Sequence, residues 1–132
     1  MLVVDASAVA ELLLDRPASH SVASHLSEDG YDLHAPHLLD VEVISVLRRL
    51  VATGDAPEAR ADDAVIDLLD LPIERYGHEA LTPRIWQLRE NFSAYDAAYV
   101  ALAEVLAAPL LTTDGRLARG ARNHSEADAV LV

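Results

Sequence analysis

A chain of 132 residues with a formal charge of −12 suits one domain built on one core. It contains no cysteine, which excludes disulfides, iron–sulfur clusters, thiolate zinc sites and cysteine nucleophiles together, and which suits a reducing cytoplasm. All 10 basic residues are arginine, so no Gly-Lys phosphate loop exists; the acidic balance argues against charge-driven nucleic-acid binding but leaves room for a nuclease, whose metal pocket is itself acidic.

In chain order, Met1-Leu2-Val3-Val4-Asp5 lacks the basic start of a secretory signal and reads as a buried strand over residues 2–4. No apolar run approaches the roughly 18 residues of a membrane helix, so a soluble, cytoplasmic protein is expected. A helix over residues 7–14 follows a tight turn. A more polar helix over 18–29 is closed by Gly30, and a short strand over 31–35 is ended by Pro36. From 37 to 53, Leu39, Val43, Val46, Leu47 and Leu50 recur at helical spacing, with Gly54 as the stop. A helix over 57–71 precedes an edge strand over 72–76. A helix over 80–89 carries Trp86 as its one large anchor, and a clear helix spans 93–107. A buried strand over 109–113, a short arginine-bearing helix over 115–121 and a last strand over 129–132 complete the chain. Strands alternating with helices specify an α/β fold, a mostly parallel central sheet of about five strands flanked by helices, with residues 1–132 as one domain.

In such sheets, sites form outside the carboxyl ends of the strands. Asp5 directly follows the first strand and Asp114 directly follows the fourth. Asp96 lies in the first turn of the helix beginning near Ser93, and Glu42 in the first half of the helix beginning near His37. Four acids from four distant segments are therefore expected at one sheet edge. A Mg²⁺ ion takes oxygen ligands, uses one or two direct carboxylates and keeps several waters, and it activates water for attack on phosphorus. Each acid also has a structural reading. Asp5 suits a helix N-cap, Ser93-Ala94-Tyr95-Asp96 has capping-box spacing, Asp114-Gly115 suits a turn, and Glu42 suits an exposed helix charge. The shared location carries the argument.

At these residues the chain resembles the PIN-domain family. Val3-Val4-Asp5-Ala6-Ser7-Ala8 is similar to its opening strand and first acid, and Leu39-Asp40-Val41-Glu42-Val43 to its helix-borne glutamate. The segment Ser93-Ala94-Tyr95-Asp96-Ala97-Ala98-Tyr99 is the most specific match, and Leu111-Thr112-Thr113-Asp114-Gly115-Arg116-Leu117 resembles the last acidic motif. The short single-domain form resembles the VapC toxins of bacterial toxin–antitoxin pairs. That resemblance implies Mg²⁺- or Mn²⁺-dependent RNA hydrolysis, a homodimer and a small VapB-type antitoxin. It further implies that Asp5, Glu42, Asp96 and Asp114 form the catalytic and metal-holding quartet, with Ser7 and Thr113 as supporting hydroxyls. Receiver domains and haloacid-dehalogenase-type phosphatases also build acidic Mg²⁺ pockets, but both rely on a lysine that this chain lacks.

Substrate grip must then come from arginines, metal and backbone donors. Arg116, Arg119 and Arg122 recur every three residues after Asp114, as an RNA-binding ridge or as a solvated helix face. Asp40 is read as a first-turn charge favouring the helix dipole, and Arg48 and Arg49 as the end of the Glu42 helix, where positive charge is favourable in any case. His34 and His37, on either side of Pro36, are read as loop or surface residues. Residues 38–50 and the helix around Trp86 are candidates for a dimer seam. Two alternatives stand beside the ribonuclease: a PIN-fold module that binds RNA or a partner without cutting, which would be expected to lack an acid, and a nuclease with a different nucleic-acid target.

Overall fold

All three residues of β1 (Leu2–Val4) are buried, as a central strand covered on both faces requires. The computed structural model describes Met1–Val132 in full. After β1 come α1 (Ala6–Leu13), α2 (Ser19–Glu28), β2 (Leu33–Pro36), α3 (Leu38–Ala52) and α4 (Glu58–Asp70). Next are β3 (Ile73–Tyr76), a 3-10 turn (Glu79–Leu81), α5 (Thr82–Gln87) and α6 (Ala94–Leu106). The chain closes with β4 (Leu110–Thr112), α7 (Gly115–His124) and β5 (Ala129–Leu131). The five strands form one all-parallel sheet in the order β3-β2-β1-β4-β5, the α/β architecture expected.

The chain adds strands outward from β1 to β3, then returns across the sheet to place β4 on the other side of β1. Because parallel crossovers are right-handed, this reversal puts α1–α4 on one face and α5–α7 on the other. The packing agrees: α1 lies against α2, α3 and α4, whereas α6 lies against α5 and across β1, β2 and β4. Residues Ala97–Ala103 of α6 are all buried, and the small side chains of Ala97, Ala98, Ala101 and Ala103 let the helix sit close to the sheet. The order reverses between β1 and β4, and that is where an open α/β sheet offers a crevice.

Local physics moves several boundaries. Tyr31 is left-handed (φ 59°), which excludes it from a strand, so β2 begins at Leu33 rather than residue 31. Pro83 cannot lie inside a helix that begins at residue 80, because its ring would clash with a carbonyl one turn back. The segment instead forms the 3-10 turn, and α5 starts at Thr82 with the proline in its first turn.

Two sequence readings need correction. His34 is not a loop or surface residue; it lies within β2 and is buried. Its ring is held by the Tyr76 hydroxyl at 2.8 Å and the Asp32 carboxylate at 3.0 Å, which meet the requirement that a buried polar ring be bonded at both nitrogens. Asp40 does more than favour a dipole. It makes a two-pronged pair with Arg75 of β3, at 2.7 and 2.8 Å, and so ties α3 to the sheet edge. In the expected dimer seam, Leu39, Val43, Leu47 and Leu50 belong to the monomer core, while Val41, Ile44 and Trp86 are exposed. No helix is long and apolar enough to cross a membrane.

Candidate active site

Asp5 stands where β1 runs into α1, and it caps that helix. Its Oδ1 accepts the Ala8 N–H at 2.9 Å and the Ser7 hydroxyl at 2.7 Å. Its Oδ2 accepts the Thr112 hydroxyl at 2.7 Å. Asp5 is 5 % exposed, and burial pushes its pKa up in spite of these three donors. Thr112, the last residue of β4, accepts the Asp114 N–H at 2.9 Å, and Ser7 Oγ accepts the Thr113 N–H at 3.0 Å. Each hydroxyl spends its one hydrogen on Asp5 and its lone pair on the turn after β4, so together they bind the carboxyl ends of β1 and β4 into one unit.

Asp114 caps α7 through Oδ1, which accepts the N–H groups of Arg116 at 2.8 Å and Leu117 at 3.3 Å, leaving Oδ2 free of protein donors. Ser93 caps α6 by accepting the Asp96 N–H at 3.1 Å. The return half of a capping box, from the Ser93 N–H to the Asp96 carboxylate, is not formed. The capping spacing thus occupies the backbone of Asp96, while its carboxylate lines the cleft. Burial and the neighbouring Asp114 raise the Asp96 pKa. Glu42, half-buried on α3, accepts the Tyr99 hydroxyl at 2.8 Å. Burial raises its pKa, with Asp96 and Asp5 adding to the effect against the Tyr99 bond. Burial and the Glu42 charge push the Tyr99 hydroxyl up as well, so it remains a donor.

All four acids line one cleft of about 450 Å³, together with Ser7, Ser45, Tyr99, Arg48 and Arg49. None of the four is ion-paired with an arginine, a histidine or the amino terminus. Three carboxylates driven toward protonation, with unspent oxygen lone pairs beside them, are a donor set that suits a hard divalent cation. No three of them converge closely enough to ligate one ion together. The set therefore fits an ion held by two carboxylates at most, with water bridging to the others.

The remaining expected residues divide. Ser7 lies at the centre of the hydroxyl network, but the second hydroxyl that reaches Asp5 is that of Thr112; Thr113 joins through its backbone N–H. Arg116 lines a second groove that meets the cleft at Asp96. Arg119 and Arg122 lie further along α7, and Arg122 donates to the Ala129 carbonyl at 3.3 Å. Sequence reasoning missed Tyr99, although its position one turn after Asp96 on the same helix is a usable signal. It also read Arg48 and Arg49 only as the end of α3, whereas both line the cleft.

Comparison with known proteins agrees with this fold. The PIN domain family model matches residues 2–123. Ribonuclease VapC12 of Mycobacterium tuberculosis is 42 % identical over 130 residues, covering 98 % of this chain and 99 % of that protein. Ribonuclease VapC1 of the same organism is 46 % identical over 120 residues, covering 88 % and 87 %. Among solved structures, a protein from Pyrobaculum aerophilum shares the fold with a TM-score of 0.72 at 21 % identity, covering 97 % of this chain and 81 % of that one. Mycobacterium tuberculosis VapC20, described as a sarcin-ricin loop cleaving toxin, does so with a TM-score of 0.66 at 16 % identity, covering 90 % and 94 %. A family match over nearly the whole chain, joined to near full-length relatives of one kind, shows that this chain belongs to the PIN-domain family, among its VapC ribonucleases.

Proposed function

We propose that this chain is a divalent-metal-dependent endoribonuclease, the toxin of a toxin–antitoxin pair, using Mg²⁺ or Mn²⁺. The observation that carries the reading is the gathering of Asp5, Glu42, Asp96 and Asp114, none of them ion-paired, on one cleft at the sheet's switch point. Two of Asp5, Asp96 and Asp114 would hold the ion directly, and the third would reach it through water. When bound, it supplies charge stabilisation at a phosphoryl oxygen and lowers the pKa of water. Glu42 is suited to accept the proton of the attacking water, because burial raises its pKa and Tyr99 orients it. Ser7 and Thr112 hold Asp5 in one orientation at the cleft and leave Oδ2 with a lone pair that no protein donor uses. A homodimer and a VapB-type antitoxin belong to this reading. Support for a partner comes from the apolar groove between α3 and α4, lined by Ile44, Leu47, Val51, Ala61 and Val65.

The test is cleavage of a mixed RNA pool by antitoxin-free protein in Mg²⁺, in EDTA, and by Asp96→Asn verified as folded by circular dichroism. Cleavage that requires both the metal and Asp96 is the expected result. RNA binding without cleavage in either Mg²⁺ or Mn²⁺ would replace the enzyme with a binding module.

A further inference from the structure

The second groove is bounded by the loop after α5 and the start of α7, and its lining includes Arg89, Asn91, Ser93, Asp96 and Arg116. It shares Asp96 with the carboxylate cleft, so the two lie side by side across that residue. Its walls are fixed. The Phe92 ring is seated directly on the α7 backbone at Gly120, where even a Cβ would lie 2.9 Å from the ring. Arg89 is fixed as well. Its guanidinium carbon is 4.4 Å from the centroid of the Trp86 ring, and Nη1 donates to the Trp86 carbonyl at 2.9 Å. Trp86, the only tryptophan, is nevertheless 67 % exposed.

The distribution of arginines singles out this pair of grooves. Arg16, Arg75 and Arg84 are paired with carboxylates. Of the seven that remain, Arg48 and Arg49 line the cleft on one side of the acids, and Arg89 and Arg116 line the groove on the other. In a chain of net charge −12, most of the uncommitted positive charge therefore flanks one path through the carboxylates. A polyanion lying along it meets cations on both sides of the acids. A flat aromatic–guanidinium stack beside such a path suits a nucleobase, and only a base released from its neighbours can use it.

We propose that this groove is a nucleotide subsite for single-stranded RNA: Arg89 and Arg116 take a phosphate adjoining the one at the carboxylates, and the Trp86–Arg89 stack takes an unstacked base. The proposal rests on the nuclease reading and adds to it the residues that seat a flanking nucleotide. A double helix cannot use the stack.

The experiment measures binding of a fluorescein-labelled, unstructured single-stranded RNA in EDTA by anisotropy, and its cleavage in Mg²⁺. It compares wild type, Trp86→Ala, Arg89→Gln and the exposed control Arg60→Gln. Trp86→Ala is expected to weaken binding at least about fivefold without changing its salt dependence. Arg89→Gln is expected to weaken it and to reduce the log–log salt slope by about 0.7. Arg60→Gln should match wild type, and duplex RNA should be indifferent to Trp86→Ala. Cleavage by Trp86→Ala should lose kcat/KM through KM. Wild-type binding by both groove variants, in a protein that cuts RNA, overturns the subsite and leaves the nuclease standing. A wild-type protein that neither binds nor cuts overturns both. Conversion of Trp86→Ala to a smaller oligomer by light scattering, with Arg89→Gln binding normally, assigns the stack to a subunit contact and also overturns the subsite.

Discussion

Thr112→Val removes a single hydroxyl and keeps the shape of the side chain. Thr112 is 0 % exposed, so water cannot replace what is lost. The hydroxyl donates to Asp5 Oδ2 at 2.7 Å and accepts the Asp114 N–H at 2.9 Å. A hydrogen bond to a charged group contributes about 1.5–3 kcal/mol, and an orphaned buried N–H costs about 1–3 kcal/mol. Both losses pass through one atom and are not additive, which gives about 3 kcal/mol in total. For a domain of this size, that lowers Tm by roughly 10 °C. Thermal unfolding in metal-free buffer at neutral pH measures it. Thr112→Ser keeps the hydroxyl and should retain most of the stability, and Thr113→Val should be close to neutral. The lost bond favours the charged form of Asp5, so its removal raises the Asp5 pKa further. The gap between variant and wild type should therefore narrow as pH falls and Asp5 becomes protonated in both. A Thr112→Val protein melting with wild type, or a Thr113→Val protein losing as much, would refute the assignment of the hydroxyl network to Thr112.

Tyr99→Phe removes the hydroxyl that donates to Glu42; cleavage should fall at least about tenfold at neutral pH, with an unchanged circular-dichroism spectrum and partial recovery at higher pH as Glu42 ionises. Asp5, Glu42 and Asp96 all have raised pKa values in the folded state, so between the ordinary carboxylate range and those raised values the native state binds more protons than the unfolded one. Stability in EDTA should accordingly rise as pH falls from neutral into that window. Added Mg²⁺ should raise Tm at neutral pH, and the gain should vanish as the carboxylates protonate; a Tm in EDTA that falls steadily over the same window would contradict the shifts. Gly120→Ala should cost about 1–3 kcal/mol in urea unfolding, because the new Cβ meets the Phe92 ring, and a second change of Phe92→Leu should recover part of it.

What was legible in the sequence follows the range of the forces involved. The strands and most helices were readable because burial has a period, and Asp5 and Asp114 were readable because each directly follows a buried run. The misreadings depend on partners far along the chain. His34 looked like a loop residue beside Pro36, and its Tyr76 partner lies 42 positions away. Asp40 looked like a dipole charge until Arg75, 35 positions away, supplied its mate. The Thr112-Thr113 pair shows a different limit. Successive residues at a strand end point to opposite faces, and the letters alone do not say where the strand stops. Arg48 and Arg49 read as a helix end because charge at a C-terminus satisfies the dipole whatever else it faces.

The parallel pairing of β4 against β1 has a consequence in time. Asp5 is synthesised 107 residues before its hydroxyl partner Thr112, and Asp114 follows two residues later. A nascent chain carrying β1 to β3 has two of its five strands and the side-chain caps of α6 and α7 still to come, with no second wall for the cleft. An interrupted product ending before Asp114 cannot assemble the four acids. A cell translating this chain is thus exposed to the completed site only after the segment from Asp5 to Asp114 has been made, and that interval is open to a partner already present.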